Sequence, residues 1–394
     1  MNIFLKEAQE LQPEIIENRR HIHEDPELGF DLPNTRSFVK ERLRACGYEP
    51  RELGGGIVCT VGQGSPVLML RADMDALPQT EESGEIFSSK NPGVCHSCGH
   101  DGHTAMLLAA AKILKKHESE LEGTVKFMFE AGEEILSGCQ RMIDEGVLED
   151  PKVDAAMALH ANIGNPDPRR STPGNFSYCA REASASADEF HIHITGRAAH
   201  SSTPNEGISA LSIGVNICNQ LEQLVALNVP SDQNFVLAIG SMKSGTAANI
   251  IPGEALIKGT LRGYSNEYRA AVKQRIEAIA RNAAETWGGT ATVDYPIGVS
   301  PLINDTEMAK EMAGYAEDVC KKVSVIPPLP ASEDFAEMCQ FVPVFFGNIG
   351  LGSPEDGYEF SHHNPKLRMD ESGLYYGTAV FCSCAFNWLK NHHK

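Results

Sequence analysis

The sequence predicts an α/β protein with a mainly parallel sheet covered by helices on both faces, interrupted by a smaller α+β lid. Three observations predict this architecture. Apolar runs of strand length alternate with amphipathic helical segments up to about residue 185. The alternation stops at 186–298, where the order of elements is β-α-β-β-α-β, as in a ferredoxin-like unit. It returns from 299 to 394.

The first elements alternate in a regular order. Apolar residues at helical spacing predict a helix over 4–24, which ends before Asp25-Pro26 because proline disfavours a helical residue before it. A second helix is predicted over 34–46, and two more over 102–117 and 135–146. The buried strands are predicted from four apolar runs, GIVCTVG, VLMLRADMD, GTVKFMFEAGEE and VDAAMALHANIG. Nearly continuous apolar strands separated by helices indicate a parallel sheet.

The interrupting segment has a different hydrophobic pattern. It begins with a strand of alternating polarity, SADEFHIHITGR, and two long helices then flank a pair of strands before a final strand, TATVDYP. After 299 a buried strand, VPVFFGNIG, and a closing helix, ESGLYYGTAVFCSCAFNWL, complete the first pattern. We therefore expect one domain made of 1–185 and 299–394, and a lid at 186–298.

Composition excludes several classes of partner. The chain has 34 Lys and Arg against 53 Asp and Glu, and a net charge of -19 repels phosphate backbones and anionic lipid surfaces. Its first residues lack the basic start and apolar block of a secretory signal, and no apolar run is long enough to span a bilayer. Eleven scattered cysteines do not predict a disulfide framework. We expect a soluble cytoplasmic protein with a small-molecule partner, not nucleic acid or membrane.

The stretch VCHSCGHDGHTAM contains a C-x-x-C motif with several possible roles. Haem attachment requires a histidine directly after the second cysteine, where this chain has Gly99. A structural zinc site needs a second ligand pair, and the sequence has no other C-x-x-C. A thioredoxin-like motif would lack the surrounding histidines, and a chance cluster in a loop stays open. The remaining interpretation is that Cys98 and His100 bind one metal or bridge two.

Ligand-type residues also follow three of the predicted strands, and these strand ends should meet at one edge of a parallel sheet. One strand ends at Asp73 and Asp75, one at Glu133 and Glu134, and one at His160. Of two adjacent glutamates, one can bind a metal while the other takes a proton from water. Asp75 is expected to orient a ligating imidazole, although an aspartate after a strand also serves as a cap. The pattern favours a hydrolytic metal site over a structural one.

A set of motifs resembles the M20 metallopeptidases, from about residue 14 to 380. The motifs are RRHIHEDPELGF, RADMDALP, HSCGHDGHTAMLLAAA, FEAGEE, GRAAHSSTP, NIIPGEALIKGTLR, SEDF and HHNPKLRMDE. They are most similar to the branch containing N-acyl-amino-acid, hippurate and indoleacetyl-amino-acid hydrolases. The resemblance implies a two-metal exopeptidase-like catalytic domain, with an inserted lid that forms a homodimer or a higher homo-oligomer.

The resemblance also implies roles for individual residues. Glu133 would be the general base and Asp75 the orienting aspartate. His200 resembles a histidine that reaches a neighbouring subunit's active site, whereas Asn249 and Arg262 resemble residues that hold the substrate's carbonyl and carboxylate. The family position of the last metal ligand is His363, with His362 as the alternative. The ligands implied in this way are Cys98, His100, Glu134, His160 and His363.

The activity implied by the resemblance is metal-dependent hydrolysis of the amide bond of N-acyl-amino acids. Two alternatives stay open: a dipeptidase or aminopeptidase of the same superfamily, and a dimer that binds metal without turnover. A thiolate ligand favours zinc, whereas the carboxylate and imidazoles also suit manganese, cobalt or nickel.

Overall fold

The computed structural model describes residues 2–393, which form two compact units. The first unit comprises the chain up to Ala183, Ile303–Pro328, and the chain from Asp334 onwards. The second comprises Ser184–Leu302 and Leu329–Glu333. Within the described residues, no helix is both long and apolar enough to cross a membrane.

The helices and strands are numbered here in chain order. The helices are α1 (Ile3–Glu10), α2 (Gln12–Glu24), α3 (Pro33–Ala45), α4 (His100–Lys116), α5 (Gly138–Asp144), α6 (Pro168–Ser171), α7 (Ala210–Asn228), α8 (Asn266–Thr286), α9 (Thr306–Glu317) and α10 (Leu374–His392). The strands are β1 (Arg51–Leu53), β2 (Gly56–Gly62), β3 (Val67–Asp73), β4 (Thr124–Glu130), β5 (Ala155–Asn162), β6 (Asn175–Tyr178), β7 (Glu182–Ser184), β8 (Ala187–Thr195), β9 (Ala199–His200), β10 (Phe235–Ser244), β11 (Ile250–Ile251), β12 (Glu254–Gly263), β13 (Thr290–Val299), β14 (Leu302–Ile303), β15 (Lys322–Val325) and β16 (Val344–Gly350).

The first unit is built around an eight-stranded sheet in the order β1-β2-β4-β3-β5-β16-β6-β15. Its centre, β4-β3-β5-β16, is parallel, whereas β2 and β6 pair with it in the antiparallel sense. Every residue of β3, β4 and β16 is buried, so both faces of the central sheet are covered. The predicted fold class, a mainly parallel α/β sheet, is confirmed.

The helix expected over 4–24 is divided into α1 and α2 at Leu11. Pro13 lies in the first turn of α2, where its missing N–H removes no hydrogen bond. Within one continuous helix, the same proline would remove a bond to residue 9 and clash with its carbonyl. The chain therefore begins a new helix at Gln12.

The second unit has the predicted ferredoxin-like element order. Its four long strands form an antiparallel sheet in the order β10-β12-β8-β13. The helices α7 and α8 pack against this sheet around a separate apolar core that includes Phe190, Ile213 and Ile276. The sequence pattern of β12 alternates between buried and more exposed residues, as in a sheet with one covered face.

The parallel strands of the first unit determine where the candidate metal-ligand residues lie. Asp73 at the end of β3 is paired in register with Glu130 at the end of β4, and β5 runs parallel to β3 on its other side. The loops that follow these three strands therefore leave the sheet at the same edge. The ligand-type side chains predicted from the sequence lie in or next to these loops.

Candidate metal centre

Cys98 and His100 are held together by the turn that begins α4. His100 is the first residue of this helix, and Gly99 before it has a φ of 91°, which L side chains rarely adopt. A Cβ at Gly99 would also lie 3.3 Å from the Cβ of Ala161. The glycine therefore lets the thiol and the imidazole on either side of it approach β5.

His160 completes a first group of potential ligands. Its Nε2 lies 3.6 Å from the Sγ of Cys98, and its Nδ1 lies 2.6 Å from the carbonyl oxygen of Ala161. A hydrogen bond from Nδ1–H to this carbonyl leaves Nε2 available to a cation. One ligand atom from each of Cys98, His100 and His160 lies within 4.8 Å of the others.

Glu133 and Glu134 are positioned by the carboxylate of Asp75. The backbone N–H groups of both glutamates donate to Asp75, each over 3.1 Å, to Oδ1 and Oδ2 respectively. Glu133 Oε2 and Glu134 Oε1 each lie 3.8 Å from Nε2 of His100. Two adjacent carboxylates thus approach the same imidazole, as the division between a metal ligand and a base requires.

Asp75 orients His100 through its backbone rather than its carboxylate. The Nδ1 of His100 lies 2.8 Å from the carbonyl oxygen of Asp75, but 3.6 Å from its Oδ1. Donation from Nδ1–H to the carbonyl points Nε2 toward the two glutamates. The carboxylate is engaged by the glutamate backbone, so this one residue connects the imidazole and the acidic pair.

His363 and His362 lie next to different members of the group. His363 Nε2 lies 3.4 Å from Oε2 of Glu134, and atoms of Cys98, Glu134 and His363 form a second set within 4.8 Å. The φ of His363 is 63°, and its N–H donates to the carbonyl of Ser97 over 2.8 Å. The ring of His362 lies 4.9 Å from that of His160, centroid to centroid.

Burial sets the protonation of the group. It raises the pKa of the Cys98 thiol well above its usual range, and it raises the pKa of Glu134 to about 7, with Asp75 adding to the shift. Burial lowers the pKa of His160 well below its ordinary value. For His100 burial is the largest cause and acts downward, but the negative charges of Asp73 and Cys98 and the hydrogen bonds to Asp75 and Cys98 together outweigh it, so the pKa is raised. The ionised forms of Cys98 and Glu134 are poorly solvated in this buried group, and a bound cation would stabilise them.

The donor set fits a divalent metal. Within residues 2–393, Nε2 of His100, Oε1 of Glu134 and Nε2 of His362 are buried without a hydrogen-bond partner. Buried polar atoms are normally paired, so these atoms indicate a missing partner. Thiolate, imidazole and carboxylate are the donors that zinc and similar ions bind. The two sets described above share Cys98, so this thiol is a candidate ligand in both.

The sequence alone predicts no role for a further pair of residues, Asp73 and His103. His103 Nδ1 lies 2.6 Å from Oδ1 of Asp73, and its Nε2 accepts the N–H of Ala161 over 2.7 Å. Arg71 donates to the other oxygen of Asp73. The pair therefore ties α4 to β3 and β5 directly beneath His100. Its signal in the sequence is the i, i+3 spacing of His100 and His103, which places both on one helix face.

The remaining sequence-predicted residues belong to the second unit. His200 lies in β9 opposite Ile250 of β11, and its Nδ1 lies 2.7 Å from Oγ of Ser202. The carbonyl of Asn249 accepts the N–H of the residue after His200. Arg262 is exposed on β12, and its guanidinium donates to Ser332 over 2.7 Å. The β9–β11 pairing thus brings His200 and Asn249 together, while Arg262 lies on the four-stranded sheet.

The chain resembles known proteins in sequence and in fold. The model of peptidase family M20/M25/M40 matches residues 69–387. The chain belongs to this family. Among its relatives, the N-acetyl-L-cysteine deacetylase of Bacillus subtilis (strain 168) is 32% identical over 372 residues, 92% of this chain and 85% of that protein. The IAA-amino acid hydrolase ILR1-like 2 of Arabidopsis thaliana is 33% identical over 386 residues, 95% of this chain and 85% of that one.

An M20 crystal structure also matches this chain in fold. The YXEP protein of Bacillus subtilis, described as a dinuclear metal binding peptidase, superimposes with a TM-score of 0.81 and 27% identity. The match covers 96% of this chain and 99% of that one. The predicted family is therefore confirmed.

Proposed function

We propose that this chain hydrolyses the amide bond of N-acyl-amino acids and releases a carboxylate and a free amino acid. The observation that carries the proposal is the pair Glu133 and Glu134, anchored by Asp75 beside His100. A binding site without turnover has no need of a second carboxylate next to the ligand. The deacetylase and the IAA-amino acid hydrolase described above support the substrate class.

The metal assignment follows from the donors. Cys98 and Glu134 would hold two divalent ions together with three imidazoles. His363 is proposed as the last ligand because it contacts Glu134 and forms a set with Cys98, whereas His362, whose buried Nε2 is also unpaired, is the alternative. The thiolate favours zinc, and manganese, cobalt and nickel are the alternatives. The proposed ligands are Cys98, His100, Glu134, His160 and His363.

Glu133 is the proposed general base. When bound, the two ions would supply an acidified water and polarise the substrate's carbonyl oxygen. Glu133 would take a proton from the attacking water and then deliver it to the leaving nitrogen, so that one carboxylate serves both proton transfers. Asp75 would keep Glu133 in place through the hydrogen bond to its backbone N–H.

Three residues of the second unit complete the proposal, and their motifs are its support. His200 would stabilise the developing oxyanion, and Asn249 would hold the substrate's carbonyl group. Arg262 would bind the carboxylate of the amino-acid portion, for which a planar guanidinium is suited. Its exposed position on β12 is compatible with this role.

We also assign the first unit as the catalytic domain and the second as a lid that forms a homodimer. The support is a pair of apolar side chains on α7, Leu211 and Val215, which are both exposed. The eleven cysteines are free, which agrees with a reducing, cytoplasmic location. Light scattering on the purified chain would test the dimer.

The function is tested by a substrate panel on metal-depleted protein. Zinc, manganese, cobalt and nickel are restored in turn, and release of amino acid is measured from N-acetyl, N-benzoyl and N-indoleacetyl amino acids and from unblocked dipeptides. We expect turnover of acylated substrates that depends on metal, and much slower turnover of the dipeptides. Faster cleavage of the dipeptides would indicate a peptidase, and no turnover of any substrate would contradict the proposal.

A further inference from the structure

A second group of histidine and carboxylate side chains lies on the uncovered face of the lid sheet. His191 and His193 are two residues apart on β8, so both point to the same face. Asp294 of the neighbouring strand β13 is paired in register with His191. Potential ligand atoms of these three residues lie within 4.8 Å of one another. All three belong to the second unit, and none of them is a residue proposed for catalysis, for substrate binding or for the first metal centre.

We propose that His191, His193 and Asp294 form a third divalent metal site, selective for zinc-like cations. The distances support a shared ion. His191 Nδ1 lies 3.6 Å from Oδ2 of Asp294, and His193 Nε2 lies 2.8 Å from its Oδ1. Ligands bound at about 2.0–2.2 Å around one tetrahedral ion lie about 3.4 Å apart, so only small side-chain rotations are needed. Because the side chains of His193 and Asp294 are exposed, water would be available as a further ligand.

Glu189 supplies the outer partner that metal-binding histidines usually have. Its Oε1 lies 2.5 Å from Nε2 of His191, on the opposite side of the ring from Asp294. Donation of Nε2–H to this carboxylate leaves Nδ1 of the neutral ring unprotonated and directed at Asp294.

The charges around the group are mixed. Glu189 and Asp294 contribute negative charge, whereas Lys258 lies directly opposite His191 on β12, on the same face. Opposite residues of antiparallel strands have Cβ atoms about 4.5–5.5 Å apart, so the ammonium of Lys258 weakens cation binding without blocking it. The side chains of His193 and Asp294 are each 53% exposed, so an ion has access from water. We therefore expect micromolar rather than structural affinity.

The test uses the full chain and zinc alone as the probe. Zinc bound per chain is counted after equilibrium dialysis for the wild type, His193→Gln and Asp294→Asn, and crystals soaked in zinc locate the ions by anomalous scattering. His21→Gln is the control, because His21 is an exposed histidine of the first unit. Melting temperatures without zinc check that each variant folds.

We expect both cluster variants to bind one zinc fewer per chain and to retain the wild-type rate of acyl-amino-acid hydrolysis. Glu189→Gln should bind the same ion about 10–100-fold more weakly, as outer partners of ligating histidines do. Equal zinc counts for the wild type and both cluster variants would overturn the proposal. So would a loss of one zinc in His21→Gln as well, or the absence of an anomalous peak beside Asp294.

Discussion

The two histidine and carboxylate groups of this protein differ in how they are held. In the first unit, His100 is fully buried, and its ring is fixed by the carbonyl of Asp75. In the second unit, His193 is half exposed and its position follows from the two-residue repeat of a strand. The buried group contains unpaired polar atoms within the described chain, whereas the exposed group has water as an alternative partner.

This difference indicates which of the two groups should bind a metal ion more tightly. A buried imidazole and carboxylate without partners cost free energy that a cation removes, so the first unit should bind metal tightly. An exposed group has little unpaired polarity to relieve and should bind weakly.

The largest effect is expected for Glu133→Gln in the buried group. Removing the proposed base should lower kcat by about 10²–10⁴-fold while metal content is unchanged. Glu134→Gln is the control, because loss of a ligand should reduce metal content as well as turnover. Steady-state kinetics with metal analysis of each protein distinguishes the two. Full activity of a metal-replete Glu133→Gln protein would refute the assigned base.

Buried charge in the first unit should also make stability depend on pH. Burial lowers the pKa of Lys126 from 10.5 to about 8, and its ammonium donates to the carbonyls of Glu149 and Pro151. The unfolded chain binds this proton more tightly, so the Lys126 contribution to the free energy of unfolding rises between pH 8 and 10.5.

Denaturation of wild type and Lys126→Met across this pH range measures that contribution. The stability of the wild type relative to the variant should increase with pH. Lys243→Met, at an exposed lysine of the second unit, is the control and should show no such trend. A difference that is constant from pH 8 to 10.5 would show that the Lys126 ammonium is not penalised by burial.

A smaller loss of turnover is expected for Asp75→Asn. The amide would place an N–H donor against one of the two glutamate N–H groups that Asp75 now accepts. Outer residues of metal sites typically contribute 10–100-fold, and we expect kcat/KM to fall by about that factor. Asp305→Asn is the control for Asp75→Asn, because Asp305 also accepts two backbone N–H groups, at the start of α9. Both N–H groups bind Oδ1, which asparagine keeps, so this variant should leave stability and kcat/KM nearly unchanged.

The smallest effect is expected in the exposed group. Lys258→Gln should strengthen zinc binding at His191 and Asp294 by about 2–5-fold, because it removes one partly screened positive charge. Isothermal titration at low and high salt measures it, and the gain should shrink as salt increases. Weaker zinc binding in this variant would contradict the prediction and indicate that the ion binds at a different position.

Long elements could be predicted from the sequence, and short ones could not. The parallel strands and α7, α8 and α10 have enough residues for their hydrophobic period to be recognised. β6 and β15 have only four residues each, and their pairing beside β16 depends on distant segments. The break at Leu11 depended on one proline within an otherwise helical pattern.

The candidate site divides in the same way. Glu133, Glu134 and His160 could be placed at one edge because parallel strands carry them there. The positions of His362 and His363 could not, since they lie in a loop whose conformation includes a positive φ at His363. The engagement of Asp75 by the glutamate backbone also depends on contacts between loops far apart in the chain.

Anomalous diffraction from crystals soaked in manganese or zinc tests the central claim most directly. We predict two peaks in the first unit, with Cys98 Sγ and a Glu134 oxygen as ligands at about 2.0–2.3 Å from an ion. Glu133 should approach these ions without binding them as Glu134 does. Peaks that lie away from Cys98 and Glu134, or an absence of any ion between His100 and His363, would contradict the account.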